Sequence, residues 1–350
     1  MTQASQDDGR TVQVSTDAPT TGRVGPPAVT EPDWRQVGRR RGRSVPELAG
    51  LLVVLAALVV LFSVKSPFFL TGDNILNILS AVAVTGIIAV PATMLLVAGQ
   101  VDLSVGSGAA FCGVLLATQV APRGLGLAIL LAIAAGLAIG AVNGFFVNVV
   151  GVNSLITTLG TLAVLRGLTQ LMADGQTTIV TGFSALGTSR PLLDIPLSVV
   201  IFALIIAVGA LCMRFTVFGR SLYAIGANPV AARLVGIRTR RVLITTFVLS
   251  GLAVAVSGLI LTSQLSAASP VAASGLELTV VTAVVLGGAS LSGGRGTVLG
   301  TVLGLLLIGV LNNGLVLLNV NSFWQDVARG TLLILAVSFD QLRQRFSAGS

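Results

Sequence analysis

In so apolar a chain, chemistry falls to the few residues that can ionise, bind a metal or hydrogen-bond a solute. There is no histidine, so a histidine-based metal site or catalytic triad is excluded. The two cysteines, Cys112 and Cys212, lie in apolar runs and read as space-filling. Lys65 is the sole lysine and stands in Leu-Phe-Ser-Val-Lys65-Ser66, without the glycines of a phosphate-cradling G-x-x-x-x-G-K-[ST] loop. The chain therefore carries no P-loop nucleotide site, and if ATP drives it, another subunit supplies that site. Ionisable residues in apolar segments are scarce: Asp102 and Glu277 near segment ends, and Arg166 within one. Ion-coupled carriers usually show more, which points to a driver outside the chain. Neutral polar residues are plentiful: Thr93, Gln100, Asn143, Thr157, Thr158, Thr161, Asn312 and Asn313. They suit a path for a neutral, hydroxyl-rich solute and equally suit hydrogen bonds between helices. Gln100, Asp102, Ser104, Asn143, Thr158, Asn312 and Asn313 are the candidate pathway and gating residues, with Asp102 and Ser104 expected to cap a helix start at the cytoplasmic mouth.

The elements that must position these residues are membrane spans. Of 350 residues, 54% are hydrophobic and 10% charged, and the mean hydropathy is +0.95. A soluble domain carries roughly 25% charged residues. Ten apolar segments can be drawn, at 48–64, 75–98, 103–120, 126–150, 153–173, 196–213, 242–264, 274–290, 296–318 and 323–339. A span needs about 20 mainly apolar residues, so the expected fold is an all-α integral membrane protein of about ten transmembrane helices. Pro91 should kink or break the second. The 41 glycines fit close helix packing.

Charge orients the spans. With the N-terminus inside, 16 of the 21 Lys and Arg residues fall on the cytoplasmic side. Seven lie in the N-terminal tail, including Arg35, Arg39, Arg40, Arg41 and Arg43. Six follow the sixth segment: Arg214, Arg220, Arg233, Arg238, Arg240 and Arg241. Arg295, Arg343 and Arg345 complete the set. The +8 net charge thus follows membrane orientation rather than nucleic-acid binding. The expected organisation is a disordered basic cytoplasmic tail at 1–44, a membrane domain at 45–341 and a short cytoplasmic tail at 342–350.

An internal repeat accompanies the spans. Asn143-Gly144 through Asn153-Ser154-Leu155 resembles Asn313-Gly314 through Asn321-Ser322-Phe323 with one gap. The copies join segments four to five and nine to ten, so they point in opposite directions, as in an inverted-topology repeat. Glycines spaced by four support the pairing: Gly136, Gly140 and Gly144 against Gly296, Gly300 and Gly304. A weaker likeness of residues 99–106 to 287–294 breaks this scheme and reads as coincidence.

The longest polar interval after the tail, 214–241, contains a short helix by local rules. Asn228 suits the N-cap, Pro229 the first helical position and Gly236 the stop. Such a helix, presenting Ala231 and Ala232 with Leu234, suits docking into a groove on another protein or simply turning the chain at the interface.

Several segments together carry a family likeness. They are Gly99-Gln100-Val-Asp102-Leu-Ser104-Val-Gly106-Ser107, Leu155 to Gly167, Phe218-Gly219-Arg220 through Gly236-Ile237, Val285-Leu286-Gly287-Gly288-Ala-Ser290-Leu-Ser-Gly293-Gly294-Arg295-Gly296, and Leu311-Asn312-Asn313-Gly314-Leu315. From about residue 70 to 340 the chain resembles the ribose-type permeases of bacterial ABC importers, in the branched-chain amino acid/ribose permease superfamily. The resemblance implies a permease subunit that imports a monosaccharide across the cytoplasmic membrane by alternating access. It performs no covalent chemistry and holds no cofactor or metal. It also implies a second permease copy or close relative, a cytoplasmic ABC ATPase, an extracytoplasmic sugar-binding protein, and an ATPase-coupling role for Asn228, Pro229, Ala231, Ala232, Arg233, Leu234 and Gly236. Two departures stand out: the family's Glu-Ala-Ala-x-x-x-Gly core reads Val230-Ala231-Ala232 through Gly236, and Gln100-Val101 replaces the usual Gly-Ile. A secondary carrier, a passive channel, and related permeases for polyols, nucleosides or amino acids are the rival readings.

Overall fold

The computed structural model describes residues 45–348 apart from 192 and 193, so the tail expected at 1–44 lies outside the described residues. The architecture is helical: α1 (Val45–Lys65), α2 (Gly72–Val97), α3 (Val105–Arg123), α4 (Leu125–Phe145, continued by a π turn Phe146–Val150), α5 (Ser154–Met172), α6 (Ala185–Thr188), α7 (Leu197–Phe215), α8 (Val217–Ala227), α9 (Pro229–Leu234), α10 (Thr239–Leu265), α11 (Leu276–Leu286), α12 (Val298–Leu317) and α13 (Ser322–Ala348). A two-residue antiparallel pair, Thr178–Ile179 with Ala267–Ala268, ties two connections together. Where hydrocarbon replaces water, backbone groups must be satisfied within the chain, which is why these apolar runs become helices.

Seven described helices, α2 to α5, α7, α10 and α12, are long and apolar enough to cross a membrane. Three of the expected segments are not among these seven. The first matches the apolar part of α1, Ala49–Lys65, which is shorter than the seven spanning helices. The eighth shrinks to α11, eleven residues or about 16 Å, because Gly287 and Gly288 end it. The tenth lies in α13, which continues past the expected boundary at 341 to Ala348. Pro91 lies inside α2 without breaking it.

The inverted pairing is visible in the packing. α4 lies on α10 as α12 lies on α2; α3 runs beside α10 as α11 runs beside α2; α3 meets α5 as α11 meets α13. The glycine ladder of α4 receives α10. A Cβ at Gly140 would overlap the Phe247 carbonyl, and one at Gly136 would meet Ala255 and the Gly251 carbonyl. α2 and α10 cross near their midpoints, where Ser257 Oγ donates to the Val84 carbonyl (2.6 Å). α3 and α11 each begin near that level, since Ser250 of α10 reaches Asp102 and Thr279 of α11 stands beside Thr85 of α2. Their first turns face each other, with Gly106 against the Glu277 carboxylate and the Ala273 carbonyl.

Candidate functional site

The connector between α7 and α10 folds as local rules require. Asn228 Oδ1 accepts from the backbone N–H groups of Val230 and Ala231, both at 3.0 Å, and Pro229 opens α9. Gly236 takes φ +85°, a conformation costly for any residue with a Cβ, and Ile237 N–H closes the helix end onto the Ala232 carbonyl (3.0 Å). One expected detail is corrected. Ala232 does not face outward with Ala231 but is 3% exposed, packed in a core with Val97, Met213, Leu222, Ile225 and Leu243. A two-turn helix has one face to anchor it, and Ala232 lies on that face. The outward face presents Ala231, Arg233, Leu234 and Val235. Leu234 and Val235, 83% and 76% exposed, form an apolar tip at the end of α9.

Just before α9, the end of α8 is locked to the bundle by backbone. A Cβ on Gly226 would collide with the Val97 carbonyl and the Gly294 N–H, and Gly293 lies against Gly226 and Gly99. Gly294 N–H donates to the Val97 carbonyl (2.8 Å), and Tyr223 Oη donates to the Gly296 carbonyl (2.7 Å). Thr93 and Thr301 join α2 to α12 close by, at 2.7 Å. Three chain segments thus meet where only glycine fits.

The polar residues of the interior divide into two sets. In the first, Asp102 Oδ1 accepts from Ser104 N–H (3.0 Å) and Ser104 Oγ (2.6 Å), and Oδ2 accepts from Ser250 Oγ (2.9 Å). Asn143 donates to Ser104 Oγ (2.9 Å) and accepts from Thr161 (2.6 Å). Asp102 is 6% exposed, and three donors offset the cost of burying its carboxyl oxygens. The expected helix cap is corrected here: Ser104 precedes α3 but its side chain caps no N–H, being committed to Asp102, and the pair sits level with the middle of α10 rather than at a mouth. Thr158 is buried and donates back to the Ser154 carbonyl (2.8 Å), so it belongs to helix packing. Glu277 Oε2 is buried without a hydrogen-bond partner. It stands in the first turn of α11 opposite the first turn of α3, where the positive ends of both helices favour a carboxylate.

The second set borders a cavity of about 320 Å³ between α2, α11 and α12. Asn77, Thr85, Thr279, Asn312 and Asn313 supply its polar lining. Asn313 is held by Asn74 through reciprocal amide bonds of 2.8 and 3.0 Å. Gln100 lies apart, beside Asp102 in a narrow crevice. The structure therefore groups Asp102, Ser104 and Asn143 as one lock, and Asn312 and Asn313 as one wall. Sequence reading passed over Asn77 and Thr85, although Asn77, Ala81 and Thr85 recur every four residues and so share a helix face.

Among the described residues no cluster of three or more His, Cys, Asp or Glu side chains can hold a metal. Stacked apolar helices, a capped connector with an apolar tip and an open, uncharged cavity describe a multi-pass transport subunit rather than an enzyme. The comparisons with known proteins name the class: residues 74–337 match the family described as branched-chain amino acid transport system / permease component, and the chain belongs to it. It is 41% identical to the probable ABC transporter permease protein YphD of Escherichia coli, covering 82% of this chain and 87% of that one. It is also 41% identical to the ribose import permease protein RbsC of Bacillus subtilis, over 85% and 94% of the two chains. To the L-arabinose ABC transporter permease protein AraH of Azospirillum brasilense it is 39% identical, over 85% and 88%. No solved structure matches the chain. The protein is a permease of the ABC importer type.

Proposed function

We propose that this permease carries a neutral monosaccharide, of the ribose, xylose or arabinose kind, into the cytoplasm. The names of the relatives support a sugar, and the uncharged lining of the cavity suits one. The basic residues of the connector support an orientation with both termini and α9 in the cytoplasm. There α9 docks on a separate ABC ATPase, and a sugar-binding protein delivers cargo to the opposite face. A second permease copy completes the pathway. ATP binding to the partner moves α9, the Gly226 junction passes that motion to α2 and α12, and the spans open alternately to the two sides.

The carrying observation is the exposed apolar tip of α9, Leu234 and Val235, on a helix whose other face is anchored by Ala232. An exposed apolar tip is the kind of anchor that a groove on a partner buries. The test is co-purification from native membranes in mild detergent. Leu234→Glu, a surface change, should leave the yield of folded permease unchanged and cut the recovered P-loop ATPase at least tenfold. Equal recovery from the variant removes α9 as the docking element. Uptake that survives ATP depletion and collapses with an ionophore supports a secondary carrier instead.

A further inference from the structure

The geometry points to the cavity between α2, α11 and α12 as a binding site for the solute in transit, a reading that rests on the sugar-permease function above. Three facts converge on it. The first is unused hydrogen-bonding capacity. The side chains of Asn77, Thr85 and Asn312 line the cavity and have no partner among the described residues. A polar side chain in the hydrocarbon layer normally finds a partner on a neighbouring helix. These three instead stand at the wall of one space, and each can both donate and accept. Asn313 stands beside them but is held by Asn74, which makes it a fixed part of the wall.

The second fact is the chemistry of the lining. No Asp, Glu, Lys or Arg borders the cavity. A charged solute would find no counter-ion there, whereas the hydroxyls of a sugar match amide and hydroxyl groups, and the aliphatic remainder suits the C–H faces of its ring. The volume, about 320 Å³, lies at the small end of the range for small-molecule sites.

The third fact is position. Asn77 and Thr85 are two helical turns apart, so the polar wall descends about 12 Å along α2. It ends beside Val84, where α2 crosses α10. Its far wall is α11, the half-length helix, with Thr279 in its first turns. The cavity thus lies between helices of the two halves, beside the short helix α11, and runs from near the start of α2 to its midpoint. On the proposed orientation it occupies the outer half of the span.

Two measurements on the full-length permease test this. Ala81 lines the cavity and is exposed, so Ala81→Cys offers a reporter, with Leu130→Cys on the outer surface of α4 as the comparison and Cys212→Ser in both. A membrane-impermeant maleimide added to intact cells should label Ala81→Cys at least tenfold faster than Leu130→Cys. Labelling no faster than at Leu130, with quenching of a fluorophore at Ala81 by brominated lipid, would show a lipid-filled groove and overturn the proposal. The second measurement is uptake of labelled D-ribose, L-arabinose and D-xylose by cells expressing the complete importer. Asn312→Leu and Asn77→Leu should each lower uptake at least tenfold while the ATPase still co-purifies, and Asn312→Gln should restore part of it. Undiminished uptake in both leucine variants would also overturn the proposal. If wild-type cells take up none of the three sugars yet Ala81→Cys is labelled rapidly, the aqueous cavity stands and the sugar assignment fails.

Discussion

The cavity beside α2 and the junction at Gly226 use opposite means within a few helical turns of one another. Around the cavity, side chains of Asn77, Thr85 and Asn312 have no partners among the described residues and space remains between helices. At the junction no space remains, and Gly226, Gly293 and Gly294 bring the backbone of α8 against Val97 and Gly99. On the function proposed above, the cavity binds and releases a solute and so needs groups that are free between turnovers. The junction would pass on movement and so needs contacts with no slack, which close-packed backbone supplies. α2 belongs to both regions, with Asn77 and Thr85 on its first half and Val97 at its end, so one helix links the joint to the cavity.

The contrast can be broken at the junction first. Gly226→Val puts a branched side chain into the Val97 carbonyl, and overpacking of this kind costs about 1–3 kcal/mol or more. It should lower the midpoint of thermal unfolding in detergent by several degrees and abolish uptake, and a variant that transports normally would show that the junction carries no motion.

The interior lock comes next. Ser250→Ala removes one of the three donors to the buried Asp102 carboxyl, a change worth about 1–3 kcal/mol for a buried acceptor. Its unfolding midpoint should fall while the ATPase still co-purifies, and an unchanged midpoint would mean that water replaces the hydroxyl.

The smallest effect should come from Tyr223→Phe, which deletes only the bond to the Gly296 carbonyl, about 1 kcal/mol. Docking of the ATPase should persist while uptake falls a few-fold, which would separate holding the partner from transmitting its motion. Equal losses of docking and uptake would instead make Tyr223 part of the docking face.

Much of this was legible from residue order. Apolar runs about 20 residues long announce spans wherever they fall, and Asn228, Pro229 and Gly236 announce α9 because caps are local chemistry. Gly136, Gly140 and Gly144 announce a groove, since residues four apart share a helix face. The sequence alone thereby determined the helical membrane class, the short capped helix α9 and the pairing of two halves.

Only the tertiary structure decided which polar groups satisfy one another. Asn74 finds Asn313 across 239 residues, Thr93 finds Thr301 across 208, and Asp102 finds Ser250 across 148. A neutral polar residue in a span has the same local appearance whether its partner is another helix or a passing solute. The choice depends on the depth and rotation at which distant helices meet. Glycine contacts set those across the bundle, and they lie beyond the reach of any local spacing.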